Sequence, residues 1–368
     1  MSLRSFAGAT ALLLSAVPYA YAATDWTDAD KQIPRYKHIF VIVEENKDAN
    51  QILGSDSAPN FNAFAKNYGN ATKFYGEAHP SEENYIALVG GDTFGIHDDD
   101  AWYCVPGKED IHCKSSSKPD YVNHTVNKPH IGTQLQAAGL TWKGYYENLP
   151  EPGSLAITAS DPESSNQKAA FYAAKHSGFV NFESAQKDPQ RAEHLVGFDR
   201  LEADIKAGTL PNFALIVPNQ CNDMHGMHGE GIPADCEGKN LGDLIKRGDT
   251  HLNDLVQKLR SIPAWNSPEN VAIVVTFDEG SGKDSSGCCG VTPEAISNFG
   301  GGHIPTVVIT NHGPQGIEDD TPHNHYSLLR TIEDAFGIHE HLEHAAETDK
   351  GVLPLVKLFG VSEHHATK

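Results

Sequence analysis

Four short apolar runs, three of them ending in clusters of polar side chains, constrain this chain more than any other feature. They are His38 to Val43 (HIFVIV), Phe213 to Val217 (FALIV), Val271 to Phe277 (VAIVVTF) and Ile304 to Thr310 (IPTVVIT). Runs of this length, rich in β-branched residues, read as strands buried on both faces. Between them lie helical patterns: Leu252, Leu255, Val256, Leu259 and Ile262 recur at helical spacing, and Leu328, Leu329, Ile332 and Phe336 nearly so. Strands that alternate with amphipathic helices predict an α/β fold, a central, mostly parallel sheet sandwiched by helices. The 368 residues show no repeat, low-complexity tract or linker, so residues 23–368 read as a single domain.

The first run passes directly into Glu44-Glu45-Asn46, the second into Pro218-Asn219-Gln220-Cys221-Asn222-Asp223-Met224-His225, and the third into Asp278-Glu279-Gly280. Ligands of open α/β sheets bind at the carboxyl ends of the strands, so three such clusters are expected to converge. Glu45, Asn46, Asp278 and Glu279 offer oxygen ligands suited to a divalent metal ion such as Mg²⁺, Ca²⁺ or Mn²⁺, although carboxylates also bind Zn²⁺. Asp223, His225, His303 and His325 add a mixed nitrogen and oxygen set for a second metal or for phosphate. Against this stands the bland alternative that most of the 20 histidines are surface or core residues. His303 follows three glycines, where backbone can approach a ligand closely. His325 opens the last helical pattern, where it can simply help start the helix.

Ser81 follows a proline and leads into Glu82-Glu83-Asn84-Tyr85 and a short apolar stretch. Such a serine is expected at a helix N-terminus, where free N–H groups favour an anion. The same pattern is that of an ordinary N-cap. A nucleophilic serine needs a base or a metal to activate it, and no GxSxG elbow is present, so metal assistance is the matching chemistry.

The remaining features bound the setting. Residues 1–22 read as a signal peptide, with Arg4, an apolar stretch from Ala9 to Val17 and Ala20-Tyr21-Ala22 as the cleavage site. A secreted protein, extracellular or periplasmic and without a stable membrane anchor, is therefore expected. With 28 basic and 49 acidic residues the formal charge is −21, which argues against nucleic acid as a partner. Six cysteines fit an oxidising compartment. Proximity favours Cys104–Cys113 and Cys221–Cys236, and the adjacent Cys288 and Cys289 are not expected to bond to each other.

Taken in order, these residues resemble a known family. The ordered set comprises Lys37-His38-Ile39 through Glu45-Asn46, Ala58-Pro59-Asn60-Phe61, His79-Pro80-Ser81 to Asn84, Trp142-Lys143-Gly144-Tyr145, Pro218-Asn219 to His225, Thr276-Phe277-Asp278-Glu279 and His325-Tyr326-Ser327 through Asp334. It is similar to the phosphoesterase family of secreted acid phosphatases and phosphocholine-preferring phospholipases C, within the alkaline-phosphatase-like superfamily. The resemblance implies a metal-dependent phosphatase acting on small-molecule or lipid phosphate monoesters through a phosphoserine on Ser81. It implies metal ligation by Glu45, Asn46, Asp278 and Glu279, a phosphate-holding amide at Asn84, and places near phosphate or a second metal for Asp223, His225, His303 and His325. A phosphodiesterase or phospholipase C on the same core is the enzymatic rival, and a non-catalytic secreted binding protein the alternative from another class. Glu82 and Glu83 depart from the family pattern. Beside a nucleophile they would repel a phosphate dianion unless they face solvent or bind a cation.

Overall fold

The computed structural model describes residues 33–290 and 299–360, so the signal-peptide reading lies outside the described residues. In chain order the elements that position the site are β1 (His38–Glu44), α1 (Pro59–Asn67), β2 (Gly69–Tyr75), α2 (Ser81–Gly90), β3 (Trp142–Tyr146), β4 (Leu195–Gly197), α3 (Phe198–Ala207), β5 (Phe213–Val217), α4 (Leu241–Arg260), β6 (Val271–Phe277), β7 (His303–Thr310), β8 (Ile317–Asp319), β9 (His323–Asn324) and α5 (His325–Phe336). One nine-stranded sheet runs β8-β2-β7-β6-β1-β5-β3-β4, with β9 also on β2. The four apolar runs are four of its strands, three of them at its centre together with β7. From Ile39 to Val43, β1 is at most 1% exposed. Burying each such side chain stabilises the fold by roughly 1.5–3 kcal/mol, which is why alternation is absent.

Pairing is parallel throughout except at β7, which runs antiparallel to both β6 and β2. That inversion brings the start of β7, where His303 pairs with Tyr75, to the edge at which β1, β2, β5 and β6 end. In the β1–β6 register Glu44 stands opposite Phe277. Glu45 and Asp278 consequently leave the sheet side by side.

Helices α2 and α5 pack on each other, as do α1 and α4. Expected to be amphipathic, α5 is instead buried at every position, as is α2. Arg330 and Glu333 are covered along with the apolar positions, because α5 lies between the sheet, α2 and the segment after Gly337.

Cys104–Cys113 and Cys221–Cys236 are bonded as their spacing suggested. The expectation for Cys288 and Cys289 is corrected: these neighbours are bonded to each other. Their carbonyls both accept from Asn324 Nδ2 at 3.1 Å, which holds the pair against the N-cap of α5.

Candidate active site

Ser81 is the first residue of α2 and not its cap, a position that Pro80 takes without a side-chain bond. The hydroxyl is thus released from capping and faces three oxygens: Glu279 Oε1 at 3.0 Å, Glu45 Oε2 at 3.3 Å and Asn46 Oδ1 at 3.4 Å. It has one proton to donate, so the ring of acceptors cannot all be satisfied by it.

The turn that carries Ser81 is held by close backbone contact. Gly300 N donates to Glu77 O, Gly301 N to Gly76 O and Gly76 N to Gly302 O, at 2.7 to 3.0 Å. A Cβ on Gly301 would meet Ala78 O at 2.7 Å. The three glycines before His303 therefore serve approach to backbone and not to a ligand. Asn84 completes the turn. Its Oδ1 accepts from the N–H groups of Glu77 (2.8 Å) and Ala78 (3.2 Å), and its Nδ2 donates to Ala78 O (2.9 Å) and Pro80 O (3.3 Å). This amide positions Ser81, and its polar atoms are committed to backbone where the resemblance implied a phosphate contact.

Glu45 is fully buried and straddles two groups of side chains. Its Oε2 faces Ser81, while its Oε1 accepts from Tyr85 Oη at 2.7 Å and lies 3.2 Å from His176 Nε2. That nitrogen and Asp223 Oδ2 are both buried and make no hydrogen bond among the described residues. One ligand atom each from Glu45, His176 and Asp223 lie within 4.8 Å of one another. The His225 ring sits 5.9 Å from that of His176, with Nδ1 bonded to Gly226 O. The backbone closes the arrangement: Glu45 N donates to Asp223 O at 2.7 Å and Asn46 N to Asp278 Oδ1 at 3.1 Å.

The electrostatics follow from burial. Desolvation pushes the carboxyls of Glu45, Asp223 and Asp278 well above the usual carboxylate range, and their mutual repulsion adds to it. Burial, with Lys175 close by, holds His176 well below its ordinary value, and burial brings His225 down to about 4, so both imidazoles are neutral. The Asn46 side-chain oxygen faces only acceptors. With the amide turned, its nitrogen donates to Glu45 Oε2 at 2.7 Å and to Asp278 at 3.2 Å, whereas a cation among these oxygens would suit the oxygen-inward orientation. Buried acids in mutual repulsion, with a carboxylate oxygen and a neutral imidazole nitrogen that make no hydrogen bond among the described residues, form a donor set that fits a divalent cation.

Two of the histidines expected here do other work. His325 is clamped: its N–H and Nδ1 go to Glu77, and its Nε2 lies 2.9 Å from Phe277 O. Burial opposes a charge on it, but Glu77 outweighs that and raises it above the usual value. His303 Nε2 lies 2.9 Å from Thr72 O. Missed from sequence were His176, which ends a single 3-10 turn (Ala174–His176) after a two-residue strand (Tyr172–Ala173) outside the main sheet, and His79, whose Nδ1 bonds Glu279 Oε2. A histidine two residues before a candidate serine was the signal available for His79.

Glu82 does not face solvent; it is paired with a buried imidazole. Buried at 2% exposure, it bonds His124 Nδ1 at 2.8 Å and Asn181 Nδ2. His124 Nε2 lies 3.1 Å from Asp98. Despite burial, the two carboxylates raise His124 to about 10 and so keep it charged, which cancels Glu82 beside the nucleophile.

One sheet edge of this α/β fold thus gathers a serine, acids and imidazoles at a buried helix N-terminus. Residues 55–339 match the model of the Phosphoesterase family, and the chain belongs to that family. A phosphatidylinositol-3-phosphatase of Mycobacterium tuberculosis is 28% identical over 335 residues, covering 89% of this chain and 88% of that protein. A probable acid phosphatase of Kluyveromyces lactis is 26% identical over 87% of this chain, which spans 63% of the yeast protein. A Vibrio parahaemolyticus protein of the alkaline phosphatase superfamily shares the fold, with a TM-score of 0.50 and 15% identity over 83% of this chain and 67% of its own.

Proposed function

We propose that the chain is a secreted phosphomonoesterase that transfers the phosphoryl group of its substrate to Ser81 and then to water, with divalent-cation assistance. The observation that carries this reading is the Ser81 hydroxyl held 3.0 Å from Glu279 Oε1 amid Glu45 and Asn46. The proposed ligands are Glu45, Asp223 and His176, with Asn46, Asp278 and Glu279 toward Ser81. A bound cation would supply positive charge for the non-bridging phosphate oxygens and lower the pKa of the serine hydroxyl.

The chain's own groups account for the rest. Ser81 Oγ attacks phosphorus, its proton passes to Glu279 Oε1, and the bond to the ester oxygen breaks, that oxygen taking a proton from solvent water as the alcohol leaves. His79 orients Glu279 through its other oxygen. Water then attacks the phosphoserine and gives up a proton to solvent, and Ser81 recovers its own proton from Glu279 as phosphate departs. Asn84 and the triglycine keep the Ser81 turn in place, so little reorganisation accompanies the reaction.

Turnover of p-nitrophenyl phosphate, with and without chelator, tests the reading. Ser81→Ala is expected to lower kcat by about a thousandfold or more, and chelator to abolish activity until Mg²⁺, Ca²⁺, Mn²⁺ or Zn²⁺ is restored. Undiminished Ser81→Ala turnover rejects the serine route. Faster cleavage of bis-p-nitrophenyl phosphate than of the monoester replaces the monoesterase reading with the diesterase one.

A further inference from the structure

The chain neighbours of Ser81 and His176 line a cavity of about 170 Å³ that the chemistry above does not use. We take as its rim Glu82, next to Ser81 in the chain, and Lys175, next to His176, both of which line it. Asp99 joins the two: its Oδ1 accepts from Glu82 N at 3.2 Å and its Oδ2 from Lys175 Nζ at 2.8 Å. Beyond this rim the walls are mostly apolar, with Trp102, Ile157, Ala173 and Val180 among them.

Resting on the phosphatase reading, we infer that this cavity receives the alcohol part of the ester, and that it selects a compact, uncharged, aryl or short alkyl alcohol. Three observations set that class. The volume resembles that of apolar cavities that admit benzene, about 150 Å³, and falls below the roughly 300 Å³ at which drug-sized sites begin. The rim cation is already neutralised by Asp99, and the acids Glu82 and Asp100 lie on the same lining, so an anionic alcohol meets no free positive charge. The wall is also rigid. Asp100 accepts from the N–H groups of Lys114 (2.7 Å) and Ser115 (2.8 Å), Thr125 Oγ1 donates to Trp102 O (2.8 Å), and the Cys104–Cys113 bond closes the loop. The Glu82–His124–Asp98 chain fastens that loop to α2, so the cavity and Ser81 form one body.

Thr158 lines the cavity from an exposed position, so Thr158→Trp can fill it without disturbing the core. The full chain, assayed with phenyl phosphate, methyl phosphate and 3-phosphoglycerate, is expected to prefer phenyl phosphate. Thr158→Trp should raise the KM for phenyl phosphate at least tenfold, leaving methyl phosphate turnover and inhibition by inorganic phosphate within twofold. Trp102→Ala should shift preference from phenyl toward naphthyl phosphate. Equal effects of Thr158→Trp on phenyl and methyl phosphate, or none on either, would overturn the cavity assignment alone, as would preference for the carboxylate-bearing ester. A parent chain inert toward all three esters would overturn the phosphatase reading and this inference with it.

Discussion

The carboxylate of Glu45 is the residue on which the proposed chemistry turns, because its two oxygens serve two groups of side chains. One faces Ser81, the other His176 and Tyr85. His176 is neutral and its Nε2 has no hydrogen-bond partner among the described residues, as a metal ligand requires. His176→Ala is expected to weaken cation affinity by about 100-fold or more, read by calorimetric titration with Mn²⁺. Tyr85→Phe, which removes only a hydrogen bond to the proposed ligand Glu45, should stay within the roughly 10–100-fold typical of such outer partners. Asn84→Ala should act differently. It strands the buried N–H groups of Glu77 and Ala78, at about 1–3 kcal/mol each, and lets the Ser81 turn move. Denaturant midpoints should therefore fall and kcat drop while KM holds, and an unchanged midpoint would contradict the positioning role. The acids were legible because each lies in a polar segment that follows an apolar run. His176 was not, since nothing local separates it from the other 19 histidines of the chain, and Asn84's engagement by backbone depends on a turn geometry that no motif announces.

Among the elements, those that hold α2 decide where the nucleophile sits, and they do so by unlike means. One is steric: Gly76 and Gly301 lie so close that Gly301→Ala is expected to displace the Ser81 turn, costing about 1–3 kcal/mol and more in turnover than in substrate affinity. The other is the buried Glu82–His124 pair. Removing one partner of such a pair typically costs about 3–5 kcal/mol, so His124→Ala should destabilise strongly, whereas Glu82→Leu with His124→Leu should recover much of the loss. The pair also sets a pH dependence. His124 is raised from 6.5 to about 10 in the folded chain. Its contribution is thus fully present below pH 6.5 and is lost as pH rises through about 10. Alkaline unfolding followed by circular dichroism should show this loss between pH 7 and 10, and His124→Gln should abolish it. Legibility among the elements followed burial. β1, β5, β6 and β7 announce themselves as continuous apolar runs, whereas β2 (GNATKFY) carries Asn70, Thr72 and Lys73 and gave no such signal. The antiparallel course of β7 could not be read from its own residues, because a strand's direction is set by the connections around it.

For the whole molecule the decisive quantity is acidic charge gathered in a dry place. A chain of formal charge −21 places Glu45, Asp223 and Asp278 together under the sheet edge, each pushed far above its ordinary range by burial. A carboxyl raised in the folded state contributes most below its unfolded pKa, near 4, and that contribution fades as pH rises through the folded value. The chelated protein should therefore lose stability as pH climbs from about 4. A cation bound by the same oxygens reverses the balance, since it replaces the protons and binds the ionised form. At a hundredfold excess over Kd it adds about 2.7 kcal/mol, and proton competition makes that advantage larger at high pH. Melting curves with Mn²⁺ and with chelator should accordingly diverge between pH 5 and pH 8. Ser81→Ala, which keeps all the carboxylates, should retain the divergence, and Asp223→Asn should reduce it. A gap that stays constant or narrows with pH would mean that these acids do not share a cation, leaving Ser81 to be activated by Glu279 alone.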